Sequence, residues 1–241
     1  MPYRILLLLN GAALLEAFIL HWGLTKGIIT HNLSHQSESI YALVALVAVK
    51  NILLLGGYQL YFWTQHNHGA RKNKVLRATA LDRWIPAMPQ LFWIYTPLYY
   101  MVFSLAFLVL PNYTFTVLHA WIMLLHASYW FFHFPTSVDP TLRIQIRKAP
   151  MDPWTRRLME LVHTHDTEGN ACPSMHCAFA LFVAIILYPY YPVWMTFFPF
   201  IIAFSCLVCK QHLVIDILPG LLLGALHGGI HQAIHLYWPI A

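Results

Sequence analysis

The chain has 241 residues, 59% of them hydrophobic and only 10% charged, with a mean hydropathy of +0.58. Soluble domains carry about 25% charged residues, so this composition excludes an ordinary soluble protein and describes an integral membrane one. The formal charge of +5 arises in two basic loops, Arg71 to Arg83 and Arg143 to Arg157, which flank apolar stretches. That arrangement argues against nucleic acid as a partner and for the lipid bilayer, lipid headgroups or phosphorylated substrates.

A membrane-spanning helix needs about 20 apolar residues. The first candidate runs from about Tyr3 to Gly23 and contains Glu16. Its start looks like a signal peptide, but without a convincing small-residue cleavage site it reads as a retained helix. The second, about Ile40 to Trp63, carries Lys50 and Asn51. Intramembrane charges usually face the bundle interior, so Lys50 is a candidate partner for Glu16. His66 to Arg83 follows as a basic loop with a short amphipathic piece on the interface.

The third span, about Leu91 to Leu110, opens with tyrosine and tryptophan, read as interfacial anchors. Pro111-Asn112-Tyr113 turns the chain into a fourth span, about Thr114 to Phe134. The long loop 136–173 then carries Arg143, Arg147, Lys148, Arg156, Arg157, Asp166 and Asn170. A loop of this length in a compact membrane protein is usually functional or flexible.

Three apolar segments close the chain: Ser174 to Tyr188, Val193 to Cys209 and His212 to about Tyr237. In the last, Gly220, Gly224 and Gly228 recur every four residues, a smooth ridge that lets a neighbouring helix approach closely. The expected architecture is all-α, a polytopic transmembrane bundle of six to seven spans. It forms one integral-membrane domain over 1–241, with a catalytic core over about 82–237 and the active site at one membrane face.

Two polar knots interrupt the apolar segments. In Lys210-Gln211-His212-Leu213-Val214-Ile215-Asp216, the histidine and aspartate lie four apart. On a helix they share a face, so the carboxylate can fix the imidazole tautomer and leave the other nitrogen free to attack. In Asn170-Ala171-Cys172-Pro173-Ser174-Met175-His176, Pro173 suits the first turn of a helix. The open amides of that turn, with the Ser174 hydroxyl, make an anion site, and His176 can reach an oxygen held there. Lys210 and an arginine of the 136–173 loop can neutralise further oxygens. A nucleophile, a proton donor and anion-binding groups together fit phosphoryl transfer.

The motifs Pro173-Ser174-Met175-His176 and Ser205 to Asp216, SCLVCKQHLVID, resemble the PSxH and SRxxxxxHxxxD motifs of the type-2 phosphatidic acid phosphatase superfamily. Cys206 stands where that family has arginine. Lys210-Gln211-His212 looks like the branch containing inositol phosphorylceramide synthases and bacterial relatives. The nearest equivalent of the family's first motif is Phe134-Pro135-Thr136 followed by Arg143. The resemblance covers about residues 82 to 224, with Asp166 and Asn170 ahead of the PSxH supporting it.

The resemblance implies that His212 attacks phosphorus, that Asp216 orients it and that His176 protonates the leaving group. It implies that Ser174, Lys210, Arg143 and Arg147 hold the phosphoryl oxygens, without metal or other cofactor. A lipid phosphate phosphatase is the leading expectation. A phosphotransferase moving a headgroup between lipids is the alternative, and a non-catalytic lipid transporter or scaffold the distant one. A bacterial inner membrane is the expected location.

The remaining motifs take blander readings. Cys206-Leu207-Val208-Cys209 has metal-like CxxC spacing, but inside an apolar span the four cysteines read as small packing residues. His227, His231 and His235 read as interior packing and interfacial polarity, and His163 and His165 as solvated loop histidines.

Overall fold

The computed structural model describes residues 60–67, 72–98, 102 and 113–237. The first predicted span, Glu16, Lys50, most of the second span and most of the second half of the third lie outside the described residues.

The described chain is mostly helical. Thr79 opens α1 (Ala80–Trp84) through a capping box with Asp82, each side chain serving the other's backbone N–H. A 3₁₀ turn (Pro89–Leu91) and a π turn (Ile94–Leu98) follow. The helix α2 (Tyr113–His133) occupies the predicted fourth span.

The predicted loop 136–173 is mostly ordered secondary structure. Asp139 and Asp152 cap α3 (Pro140–Lys148) and α4 (Pro153–His165), and each is followed by proline at the first helical position. His163 therefore lies on a helix, not in a solvated loop.

One departure from an all-α fold sits at this end of the molecule. β1 (Lys74–Leu76) pairs in parallel with β2 (Thr136–Val138), with Lys74 opposite Thr136 and Leu76 opposite Val138. Ala171 N–H donates to the Thr136 carbonyl at 3.3 Å, and Val138 N–H to the Glu168 carbonyl at 2.9 Å. Backbone groups crowded beneath the loops need partners, and this ribbon supplies them. It also places the two basic loops side by side on one face.

The last three helices are α5 (Met175–Leu187), α6 (Pro192–Val208) and α7 (Val214–Tyr237). Among the described residues, two segments are long and apolar enough to cross a bilayer, Phe115–His133 and Val214–Tyr237. The 13-residue α5 and 17-residue α6 were expected to span. At about 1.5 Å per residue they fall short of a hydrocarbon layer about 30 Å thick.

α5 is the centre of the core: Cys177, Ala178, Phe179, Ala180 and Phe182 are all inaccessible to solvent. The glycine ridge of α7 lies directly against it. A Cβ on Gly220 would overlap the Ser174 carbonyl oxygen, one on Gly224 the Ala178 carbonyl oxygen, and one on Gly228 would come within 2.7 Å of Ile185 Cδ1. Only glycine permits this approach, and it brings the starts of α5 and α7 together.

On another side, α7 is knitted to α2 by imidazoles. His227 is bonded to His119 and to His126, each at 3.2 Å, and His231 to the Thr116 hydroxyl at 3.0 Å. His227 is thus interior, bonded through both ring nitrogens, and His231 is interior and bonded through Nε2, while His235 is half-exposed.

Candidate active site

The two polar knots meet where α6 turns into α7. After Val208 the chain leaves the helix, and Lys210 takes a left-handed backbone, φ 56°. A non-glycine residue there needs support from its surroundings. The support is its own side chain, almost fully buried, with Nζ donating to the carbonyls of Asp82 at 2.7 Å and Ile85 at 2.5 Å. Burial lowers the Lys210 pKa, opposed by the nearby Asp82 charge.

Asp82 completes the tie. Its Oδ2 accepts from Thr79 N–H and hydroxyl, and its Oδ1 from Val214 N–H at 2.8 Å. A carboxylate on α1 therefore caps the first amide of α7, a favourable place for negative charge. Sequence reasoning placed Asp82 in a basic loop; the Thr79-x-x-Asp82 capping pattern was the available signal.

His212 precedes α7 and does not lie on it, so helical spacing is not what brings it to Asp216. The carboxylate folds back instead. Asp216 Oδ2 accepts from Leu213 N–H at 3.0 Å and stands 3.6 Å from His212 Nδ1. Nδ1 is also 3.1 Å from the Ala171 carbonyl oxygen. A carbonyl only accepts, so Nδ1 carries the proton and the neutral ring keeps its lone pair on Nε2. Burial disfavours the charged imidazolium, but the carboxylates of Asp216 and Asp166 outweigh it and raise the His212 pKa.

Across from His212, Ser174 is the N-cap of α5, its hydroxyl accepting from Cys177 N–H at 3.4 Å. The helix starts at Met175, two residues later than the expected start at Pro173. Ser174 N–H donates to the Asp216 carbonyl at 3.1 Å, a backbone bond joining the two knots. His176 is half-buried in the first turn, its ring centroid 5.9 Å from that of His212. Tyr95 stacks on the His176 ring at 4.1 Å and 25°. Read as an interfacial anchor, Tyr95 is instead only 2% exposed and packs into the site.

Arg143, on α3, is also buried and donates through one terminal nitrogen to the carbonyls of Asp166 at 2.9 Å and Thr167 at 2.7 Å. Arg147, one turn on, is exposed. Burial raises the Asp166 pKa against the opposing influence of Gln65, Arg143 and His212. Gln65 Nε2 reaches Asp166 at 2.7 Å, and Asn170 Nδ2 reaches the Tyr61 carbonyl at 2.8 Å and Thr64 at 2.9 Å. The helical segment 60–66 is thereby fastened to the loop ahead of Ser174.

His212, Asp216, Ser174 and His176 are thus assembled around one point, and Arg143 braces the Asp166–Thr167 backbone ahead of Ser174 in the chain. The ammonium of Lys210 is turned to the end of α1. All four cysteines are unpaired thiols, and among the described residues no group of three or more His, Cys, Asp or Glu is arranged to hold a metal ion.

The family model of the PAP2 superfamily matches residues 147–238. The matched stretch contains Ser174, His176, Lys210, His212 and Asp216, and leaves out Asp82 and Arg143. It supports a phosphatase-type function. Neither curated proteins nor solved structures give a match to this chain.

Proposed function

We propose that the chain is a membrane phosphatase that removes phosphate from a lipid phosphomonoester or diphosphate through a phosphohistidine on His212. One observation carries the reading. The Ala171 carbonyl holds the proton on His212 Nδ1, with Asp216 beside it, so Nε2 presents a lone pair next to His176.

In the first step Nε2 attacks phosphorus, the bond from phosphorus to the lipid oxygen breaks, and His176 gives a proton to the departing alkoxide. Half-buried beside His212, it takes up that proton only with the substrate's negative charge against it. Asp216 stabilises the positive charge that develops on His212. In the second step His176 takes a proton from water, the water oxygen attacks phosphorus, and the P–N bond breaks to release phosphate. Arg143, Arg147 and the first amides of α5 with the Ser174 hydroxyl hold the phosphoryl oxygens. These groups supply the charge that the transition state needs, so the reaction is metal-independent in this reading. Lys210 acts by holding the turn that carries the nucleophile.

The test is phosphate release from a panel of lipid phosphates by purified protein, beside headgroup transfer to added ceramide or diacylglycerol. Release that is inhibited by vanadate, persists in chelator and is lost in His212→Ala is expected. Loss of a nucleophile can cost about a million-fold in turnover. Undiminished release by His212→Ala would overturn the assignment. Transfer to an added alcohol without release to water would make the chain a phosphotransferase, with an alcohol in place of the water.

A further inference from the structure

We infer that the hydrogen bond between Gln211 and His163 is a strap that positions the His212 nucleophile, which makes His163 a positioning residue for the reaction proposed above, on which this inference rests. No sequence motif pairs these residues, 48 positions apart.

The bonding pattern determines which atom donates. Gln211 Nε2 lies 3.2 Å from the Cys209 carbonyl oxygen, which identifies it as the amide nitrogen. The same nitrogen lies 2.8 Å from His163 Nε2. An amide nitrogen only donates, so His163 Nε2 accepts and the His163 proton sits on Nδ1. The bond requires a neutral imidazole. Burial, reinforced by the charges of Arg143 and Arg147, holds the His163 pKa down to about 3.

Gln211 is thus held twice. Its backbone N–H donates to the Cys206 carbonyl at the end of α6 at 3.1 Å, and its side chain crosses to α4. It is the residue directly before His212, in a turn that already carries a left-handed Lys210. Outside a helix, the direction of the His212 ring depends on how that turn is held.

His163 is itself seated against the rest of the site. Phe92 meets it edge-on at 5.7 Å and meets Tyr95 at 5.8 Å, and Tyr95 stacks on His176. Because His176 faces His212, the contacts close a circuit through Gln211, His163, Phe92, Tyr95, His176 and His212. The proposed nucleophile and the proposed acid are referenced to one scaffold.

The experiment compares wild type with His163→Phe, which keeps a ring and loses the acceptor. It adds Gln211→Leu, the double variant, and His163→Gln, whose amide oxygen restores an acceptor. Turnover and KM are measured on a soluble short-chain lipid phosphate, with thermal midpoints as the control for folding. A misplacement of about 1 Å can cost about a hundredfold in rate. The expected result is a turnover lowered about ten- to a hundredfold in each single variant, with KM little changed. The double variant should be no worse than the singles, since they break one bond, and His163→Gln should recover most of the loss.

Wild-type turnover in a folded His163→Phe, no recovery in His163→Gln, or multiplying losses in the double variant would each overturn the strap. Should His163→Phe not fold, Gln211→Leu against His163→Gln decides in the same way. A wild type that cleaves no lipid phosphate would sink the functional reading alone. The strap is then read from the rate at which diethyl pyrocarbonate modifies His212, followed by mass spectrometry of its peptide. Altered rates in Gln211→Leu and His163→Phe that return in His163→Gln support the strap, and equal rates throughout overturn it.

Discussion

Lys210 and Asp82 hold each other's helices: the Lys210 ammonium donates to the Asp82 carbonyl oxygen at 2.7 Å, and the Asp82 carboxylate accepts the first amide of α7 at 2.8 Å. The pair closes the turn between α6 and α7 from outside. Lys210→Met keeps the length of the side chain but leaves a buried and a part-buried carbonyl without their donor. A loss of about 2 kcal/mol of stability is expected, from the cost of unserved buried polar groups. Turnover should fall with it, because His212 rides on the same turn. The check is a thermal midpoint beside kcat and KM. An unchanged midpoint with a raised KM would return Lys210 to the phosphate-binding role that its place beside the histidine first suggests.

The raised His212 pKa sets the acid side of the ring's own reactivity profile. Attack needs the neutral ring, so the rate at which His212 reacts with diethyl pyrocarbonate should rise with pH through a value above the ordinary 6.5. The sign follows from the partners: Asp216 and Asp166 favour the imidazolium and outweigh the burial that disfavours it. Asp216→Asn removes the nearer charge, and the limb should move toward lower pH while maximal turnover falls. A limb that stays in place in Asp216→Asn would show that another group titrates there.

Much of this site was legible in sequence because its parts are local. Pro-Ser-x-His and His-x-x-x-Asp each fit within a few residues, and Pro173 marks a helix start to within two residues. The glycine ridge was legible for the same reason, since a four-residue repeat names one face of a helix. What was missed joins distant segments. Asp82 reaches Val214 across 132 positions and Gln211 reaches His163 across 48, and no local periodicity marks either contact. Tyr95 sits in a stretch whose aromatic composition fits a membrane interface equally well, and only its stacking on His176 decides between the two. The Asp139-Pro140 and Asp152-Pro153 pairs were readable helix starts in what looked like a loop.

The close approach of α5 and α7 makes a graded test of the ridge. Gly229 has nothing within 4 Å of a built Cβ, so Gly229→Ala should leave stability unchanged or raise it by up to about 1 kcal/mol through helix propensity. Gly224→Ala meets the Ala178 backbone, which cannot swing aside, and should cost about 1–3 kcal/mol. Gly220→Ala meets the Ser174 carbonyl, so its penalty falls on the active site as well. It should lower turnover more than Gly224→Ala at equal loss of stability. Equal activity in the two variants, measured at one temperature below both midpoints, would show that the Ser174 turn tolerates displacement.

The pairing of β1 with β2 puts two loops on one side of the membrane. Lys74 opposite Thr136 ties the basic loop before the third predicted span to the loop that carries Arg143, so whichever side holds one holds the other. Arg143 is proposed to hold phosphate and so says little about topology, since cations near a phosphate site serve chemistry. Lys72, Lys74, Arg77 and Arg83 make no such contribution to the proposed mechanism, and their excess points this face to the cytoplasm. The resemblance of the two motifs to a family whose sites mostly face outward points the other way. Asn73 is exposed beside β1 and gives a reporter at the disputed surface. A cysteine there should react with a membrane-impermeant maleimide only after cells are permeabilised, with wild type as the blank for the four native thiols. Labelling of Asn73→Cys in intact cells would place the basic loops and the site outside, and would assign the loop cations to lipid headgroup binding instead of topology.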